Sequence, residues 1–162
     1  MKLVPVLLNP TSPDAIPELR DVQTAAQALG IELRVLRAST PNEIDAAFAL
    51  LAEQHPDALL VGSDPFFTMQ AKHFAEWSAR LRVPTIYPFR EFVAAGGLVS
   101  YGTNLANAYR QAGIYTGRIL KGHKPGDLPV MQPTIFELVI NLNRQRRSVS
   151  TSRRHSMRAP TK

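Results

Sequence analysis

The residue with most to offer chemically is Asp64, which follows the apolar run Ala58-Leu59-Leu60-Val61 within Gly62-Ser63-Asp64-Pro65. A carboxylate there has two compatible uses. It can cap a helix that begins at Pro65, or it can face a ligand amine between the apolar walls Phe66 and Phe67. Phe89-Arg90-Glu91 offers the same choice, because an aromatic beside a charged pair suits a solvated turn or a binding loop. Tyr101-Gly102-Thr103-Asn104 can hydrogen-bond a ligand, while Thr103 or Asn104 also suits the cap of the next helix. None of these is a catalytic constellation. The four histidines, His55, His73, His123 and His155, show neither i, i+4 pairing nor H-E-x-x-H, so zinc hydrolysis has no support. Gly62-Ser63-Asp64 lacks the second glycine of a nucleophile elbow. The first turn, Asn9-Pro10-Thr11-Ser12-Pro13, has no glycine, and neither phosphate-cradling glycine motif occurs in the chain. A phosphoacceptor receiver would need acidic residues where Asn9-Pro10 stands. No enzyme activity and no cofactor is expected.

The elements that must position these residues alternate. Residues 2–8 read as a strand. Ile16, Leu19, Val22, Ala26 and Leu29 recur at helical spacing up to Gly30. Ile31, Leu33 and Val35 then alternate with Glu32 and Arg34 as a second strand, and Thr40-Pro41-Asn42-Glu43 is a capping box. The helix it opens carries Ile44, Ala47, Phe48 and Leu51. Strands follow at 58–61, 83–87, 98–101 and 135–142. One helix is expected to carry Phe67, Ala71, Phe74 and Leu81, and another runs from Leu105 to Leu120. Ala94-Ala95-Gly96-Gly97 reads as a flexible hinge. This order predicts an α/β fold, a three-layer Rossmann-like or flavodoxin-like arrangement with a mostly parallel sheet. Ligands in such sheets sit beyond the carboxyl ends of the strands, which narrows the search to five loops.

Composition agrees with one globular domain. The chain has 162 residues, 44% of them hydrophobic, with no apolar window long enough for a membrane span. The net charge of +6 is a property of one end: from Arg144 to Lys162 there are seven basic residues and no acidic one. Residues 1–143 hold 12 basic and 13 acidic residues. A neutral domain with a basic, serine-rich end predicts a disordered tail over 144–162. It gives no specific nucleic-acid partner, and at most sequence-blind, salt-sensitive binding through that tail.

Several segments together resemble a known family. VPVLLNPTSP (4–13), ALLVGSDPFF (58–67), PTIYPFREF (84–92), GLVSYG (97–102), GRILKGHKPGDLPV (117–130) and FELVINL (136–142) are similar, in order, to substrate-binding proteins of ABC importers in the periplasmic-binding-protein type I class. The resemblance implies a solute-binding component, with Val4 to about Tyr87 as the second of two lobes. It assigns 98–121 to the other lobe as a crossover segment, and returns Ile135–Leu142 to the second. On this reading a first lobe and a signal peptide are missing. The ligand loops it implies carry Asn9, Thr11 and Ser12; Ser63, Asp64 and Phe66; Phe89, Arg90 and Glu91; and Tyr101.

The implied partners are a small-molecule solute, such as an amino acid or a related compound, and an ABC permease if a first lobe is supplied. The family location is periplasmic; without a signal peptide the chain as given would stay cytoplasmic. A homodimer is expected, because the helix 105–120 carries an apolar face that a lone second lobe leaves open. Two other readings stand beside this one. An effector-binding regulatory domain of the same fold would carry a helix-turn-helix, and none is visible. A nucleic-acid binder would act through the tail.

Overall fold

The structure, a computed structural model, describes residues 2–144. Six strands form one sheet in the order β2-β1-β3-β4-β5-β6. These are β1 (Leu3–Leu8), β2 (Glu32–Arg37), β3 (Leu59–Val61), β4 (Thr85–Tyr87), β5 (Val99–Thr103) and β6 (Phe136–Ile140). The first five are parallel, and β6 runs antiparallel along β5 with Tyr101 opposite Leu138. This is the doubly wound α/β layout expected from the sequence, and the order reverses between β1 and β3.

The helices are α1 (Ala15–Leu29), α2 (Pro41–Gln54), α3 (Pro65–Met69), α4 (Ala71–Leu81), α5 (Arg90–Ala94) and α6 (Leu105–Leu120). Local chemistry sets their ends. Gly30, at φ 63°, closes α1 by donating its N–H to the Ala26 and Gln27 carbonyls. Thr40 Oγ1 accepts from Glu43 N at 3.3 Å to start α2. The Glu43 carboxylate reaches back one residue beyond the expected capping box, accepting from Ser39 N at 2.6 Å and Ser39 Oγ at 2.8 Å. The helix expected to run through Phe67 and Leu81 is two helices, broken at Gln70.

The core lies on one side of the sheet. Leu7, Leu59, Val61 and Tyr87 pack there against Ile44, Phe48 and Leu51 of α2, Phe74 of α4 and Phe92 of α5. Aromatic rings tie these helices together. Phe48 stacks on Trp77 at 5.7 Å, Phe74 meets Phe67 edge-on at 5.2 Å, and Tyr87 stacks on Phe92 at 4.8 Å.

The opposite side is thinly covered. Helix α1 lies there, and Ala26 is its one buried residue. Along β5 and β6 that side is exposed among the described residues: Tyr101, Phe136, Leu138 and Ile140 are 58%, 56%, 61% and 44% exposed.

Three expectations change at this point. The strand assigned to the other lobe is a member of this sheet, because β5 pairs with both β4 and β6. The flexible hinge is packed structure. Gly97 is buried with its N–H on Phe92 O at 2.8 Å, and a β-carbon there would lie 2.7 Å from both Phe92 O and Tyr87 Cε2. Arg144, placed at the head of the tail, is tied in: its Nη1 donates to Gly96 O at 2.7 Å and Ala75 O at 3.0 Å. The rest of the expected tail, 145–162, lies outside the described residues.

Candidate functional site

The loops after β1 and β3 meet where the strand order reverses, and one pair of side chains joins them. Asn9 leaves β1 only 7% exposed and Asp64 follows β3 only 6% exposed. Asn9 Nδ2 donates to Asp64 Oδ2 at 3.1 Å. The other Asp64 oxygen accepts from Phe67 N at 3.1 Å and caps α3. Asn9 Oδ1 accepts from Thr11 N at 3.0 Å and Thr11 Oγ1 at 2.8 Å. Every strong hydrogen-bonding atom of the pair is thereby used inside the protein. Of the two uses open to Asp64, capping is the one the structure shows, and the carboxylate also braces the two loops against each other.

The carboxylate left at the mouth is one the motif reading did not single out. Glu18, in the first turn of α1, accepts from Ser63 N through both oxygens, at 3.0 and 3.2 Å. Gly62 makes this approach feasible, since a β-carbon there would lie 2.9 Å from Glu18 Oε2 and 2.5 Å from Leu8 Cδ2. Burial pushes the Glu18 carboxyl above its ordinary range. The Ser63 N–H pulls it back down, and the nearby Asp14 and Asp64 push it further up. No short motif announces Glu18, because its partner is a backbone amide 45 residues away.

The remaining candidates fall into separate places. Thr11 and Ser12 ring the Asn9 turn, where Ser12 N donates to Asn9 O at 3.1 Å. Ser63 is exposed beside them, and Phe66 packs half-buried on the core with its ring 5.9 Å from Phe67. Phe89 also leans on the core. Arg90 and Glu91 are the opening residues of α5 rather than a loop tip. Arg90 Nη1 lies 3.3 Å from Glu137 Oε2, which also accepts from Asn104 Nδ2 at 3.1 Å. Asn104 Oδ1 in turn caps α6 by accepting from Asn107 N at 2.8 Å. Glu91 is exposed, and Tyr101 lies on that exposed sheet face, stacked on Phe136 at 6.2 Å and apart from the Asn9–Asp64 pair.

Two polar groups therefore stand along the carboxyl edge of the sheet. One is Asn9–Thr11–Ser12–Ser63–Asp64–Glu18; the other is Arg90–Asn104–Glu137. A hollow of about 300 Å³ between Leu51, His55, Arg82 and Val83 lies at the opposite end of β3 and β4, so it takes no part in either. Hydroxyls, a carboxylate and aromatic walls along an open edge can hold a small polar molecule by hydrogen bonds.

A family model described as ABC transporter substrate binding protein matches residues 1–160. The chain belongs to that family. No curated protein matches it. Among solved structures, a conserved domain protein from Vibrio cholerae is 22% identical with a TM-score of 0.82, covering 91% of this chain and 50% of that one. The ABC domain in complex with L-Trp from Streptococcus pneumonia is 20% identical, TM-score 0.80, covering 90% and 50%. A ligand-free, open substrate-binding protein with adhesive properties from Clostridium difficile is 19% identical, TM-score 0.66, covering 99% and 52%. At these identities the likeness is one of fold. The substrate-binding family chain described here spans about half the length of these solved relatives.

Proposed function

We propose that this chain is one lobe of a solute-binding protein serving an ABC importer, and that it binds rather than transforms a small molecule. The supporting observation is the Asn9–Asp64 brace, which fixes two loops at the switch point of a chain matched by the substrate-binding family over residues 1–160. The solute lies against Thr11, Ser12 and Ser63, with Phe66 and Phe89 as apolar flanks and Arg90, Glu91 and Tyr101 further along the edge. An amino acid or a related compound suits this mix of hydroxyls, carboxylate and aromatic rings, and a neighbour of the same fold is described in complex with L-Trp. The second wall of the cleft comes from another lobe, as the half-length match suggests. In such two-lobed designs, binding energy selects the closed state and no bond is made or broken. The acceptor of the loaded protein is an ABC permease, which places the pair at the outer face of the inner membrane.

Calorimetric titration with a panel of amino acids, L-tryptophan first, tests this reading. A single lobe gives weak binding, on the order of millimolar or about 4 kcal/mol. Ser12→Ala weakens that binding without lowering stability by more than about 0.5 kcal/mol, the usual range for surface changes, and Thr11→Val weakens it while costing about 0.5–1.5 kcal/mol through the lost bond from Thr11 Oγ1 to Asn9 Oδ1. Binding that both variants leave unchanged contradicts the site.

A further inference from the structure

On the reading that a solute lies at the loops after β1 and β3, we propose that Glu18 receives its ammonium group, so that this lobe selects compounds carrying a primary amine. Most of the other polar groups at the switch point are already used. Asn9 and Asp64 bond each other, and Asp64 caps α3. Thr11 is turned onto Asn9 Oδ1. Glu18 is different. Its two oxygens share a single donor, the Ser63 N–H, at 3.0 and 3.2 Å. A carboxylate offers about four acceptor sites, so most of its capacity is left for another partner.

Its charge is also unanswered. Among the described residues no Lys, Arg or His forms a salt bridge with Glu18, with Asp14 at the head of α1, or with Asp64 on the loop after β3. Burial first, then Asp14 and Asp64, push the Glu18 carboxyl up against the pull of the Ser63 N–H. A bound cation offsets that cost, whereas an anion adds to it.

The cation is organic rather than a metal ion. No group of three His, Cys, Asp or Glu side chains placed to hold a metal occurs among the described residues, so the three carboxylates do not converge on one point. An ammonium needs no such convergence. It donates up to three hydrogen bonds, and Ser12 and Ser63 on the neighbouring turns supply hydroxyl acceptors.

These features come from the lobe's own atoms. Gly62 lets the carboxylate lie against the loop after β3, since a β-carbon there would stand 2.9 Å from Glu18 Oε2. A second wall closing over the mouth would bury Glu18 further and sharpen its need for a cation.

Amide shift titration of the full 162-residue chain at pH 7 tests this with L-tryptophan and indole-3-propionate, which differ in the ammonium alone. L-tryptophan should bind at least about tenfold more tightly, the scale of a charge-assisted hydrogen bond. Glu18→Gln keeps an oxygen for Ser63 N. It should weaken L-tryptophan by about the same factor and leave indole-3-propionate no weaker. Should another amino acid bind more tightly than tryptophan, it and its des-amino acid form the pair. The Glu18 carboxyl carbon gives a second readout. It should titrate about one pH unit lower with saturating L-tryptophan, because a tenfold preference for the ionised group must appear as an equal shift. Indole-3-propionate binding as tightly as L-tryptophan overturns the proposal. So does amino-acid binding that Glu18→Gln leaves unchanged, or a titration midpoint that the bound amino acid does not move. Each of these leaves the site at Thr11 and Ser12 standing. The absence of shifts at Thr11, Ser12 and Ser63 with every amino acid overturns the site and the proposal together.

Discussion

Replacing Asp64 with alanine removes two things at once. The cap of α3 goes with the loss of the bond to Phe67 N, worth about 1 kcal/mol within a range of roughly 0.5–2. Asn9 Nδ2 also loses its partner while Asn9 stays 7% exposed, and an orphaned buried donor costs about 1–3 kcal/mol. The two together predict a loss of about 2–4 kcal/mol. With a urea slope of about 2 kcal/mol per molar, the midpoint falls by about 1–2 M. Asp64→Asn separates the contributions. It keeps an acceptor for Phe67 N but turns an amide donor toward the Asn9 amide. Rotating Asn9 to repair that contact would abandon the two bonds from Thr11. Its cost should therefore lie between zero and the alanine value. Urea unfolding followed by circular dichroism at one protein concentration measures all of this. Asn9→Ala and the double variant complete a cycle, in which contacting residues couple by about 0.5–3 kcal/mol. An Asp64→Ala loss below about 0.5 kcal/mol, or strict additivity with Asn9→Ala, would refute the brace.

Burial holds the Glu18 carboxyl above its ordinary value near 4.5, so the folded chain keeps a proton there that the unfolded chain releases. Its contribution to stability is whole below about 4.5 and is lost as pH rises through the folded value, so Glu18→Gln should be no less stable than the parent at pH 7 in urea melts. Glu43 and Asp45 behave oppositely. Bonds from Ser39 and from the Trp77 ring N–H hold them below the ordinary range, and their stabilisation disappears in melts as pH falls through the folded values. Gly97→Ala should cost about 1–3 kcal/mol by thermal melting, because the new methyl meets the Phe92 carbonyl and the Tyr87 ring. Arg144→Ala should lower stability by about 1–3 kcal/mol through the loss of its bonds to Ala75 O and Gly96 O, whereas deleting 145–162 should change the melting curve little.

Elements with local signals were legible in the chain. Gly30 marks the end of α1 and Thr40-Pro41 the start of α2 because each rests on contacts within a few residues. The break at Gln70 was hidden, since Phe67, Ala71 and Phe74 keep an apolar rhythm across it and all join one core. The five residues of α5 are too few for a period to show, so Arg90 and Glu91 read as a loop tip. At the site, Asp64 was visible as a carboxylate after a buried strand, yet its partner lies 55 residues away. Glu18 and Glu137 escaped notice for the same reason: each is defined by a contact with a distant loop or strand rather than by its neighbours in sequence. Strand and helix signals are local, and site signals of this kind are tertiary.

The central claim is that a solute meets this lobe where the loops after β1 and β3 join. Amide shift mapping of isotope-labelled protein during titration with L-tryptophan and other amino acids tests it most directly. The account predicts saturable shifts concentrated at Thr11, Ser12, Ser63 and Phe66, abolished for at least one solute by Thr11→Val. Shifts confined to the hollow near His55 and Arg82, or none at any of the four loop residues with any amino acid, would contradict it.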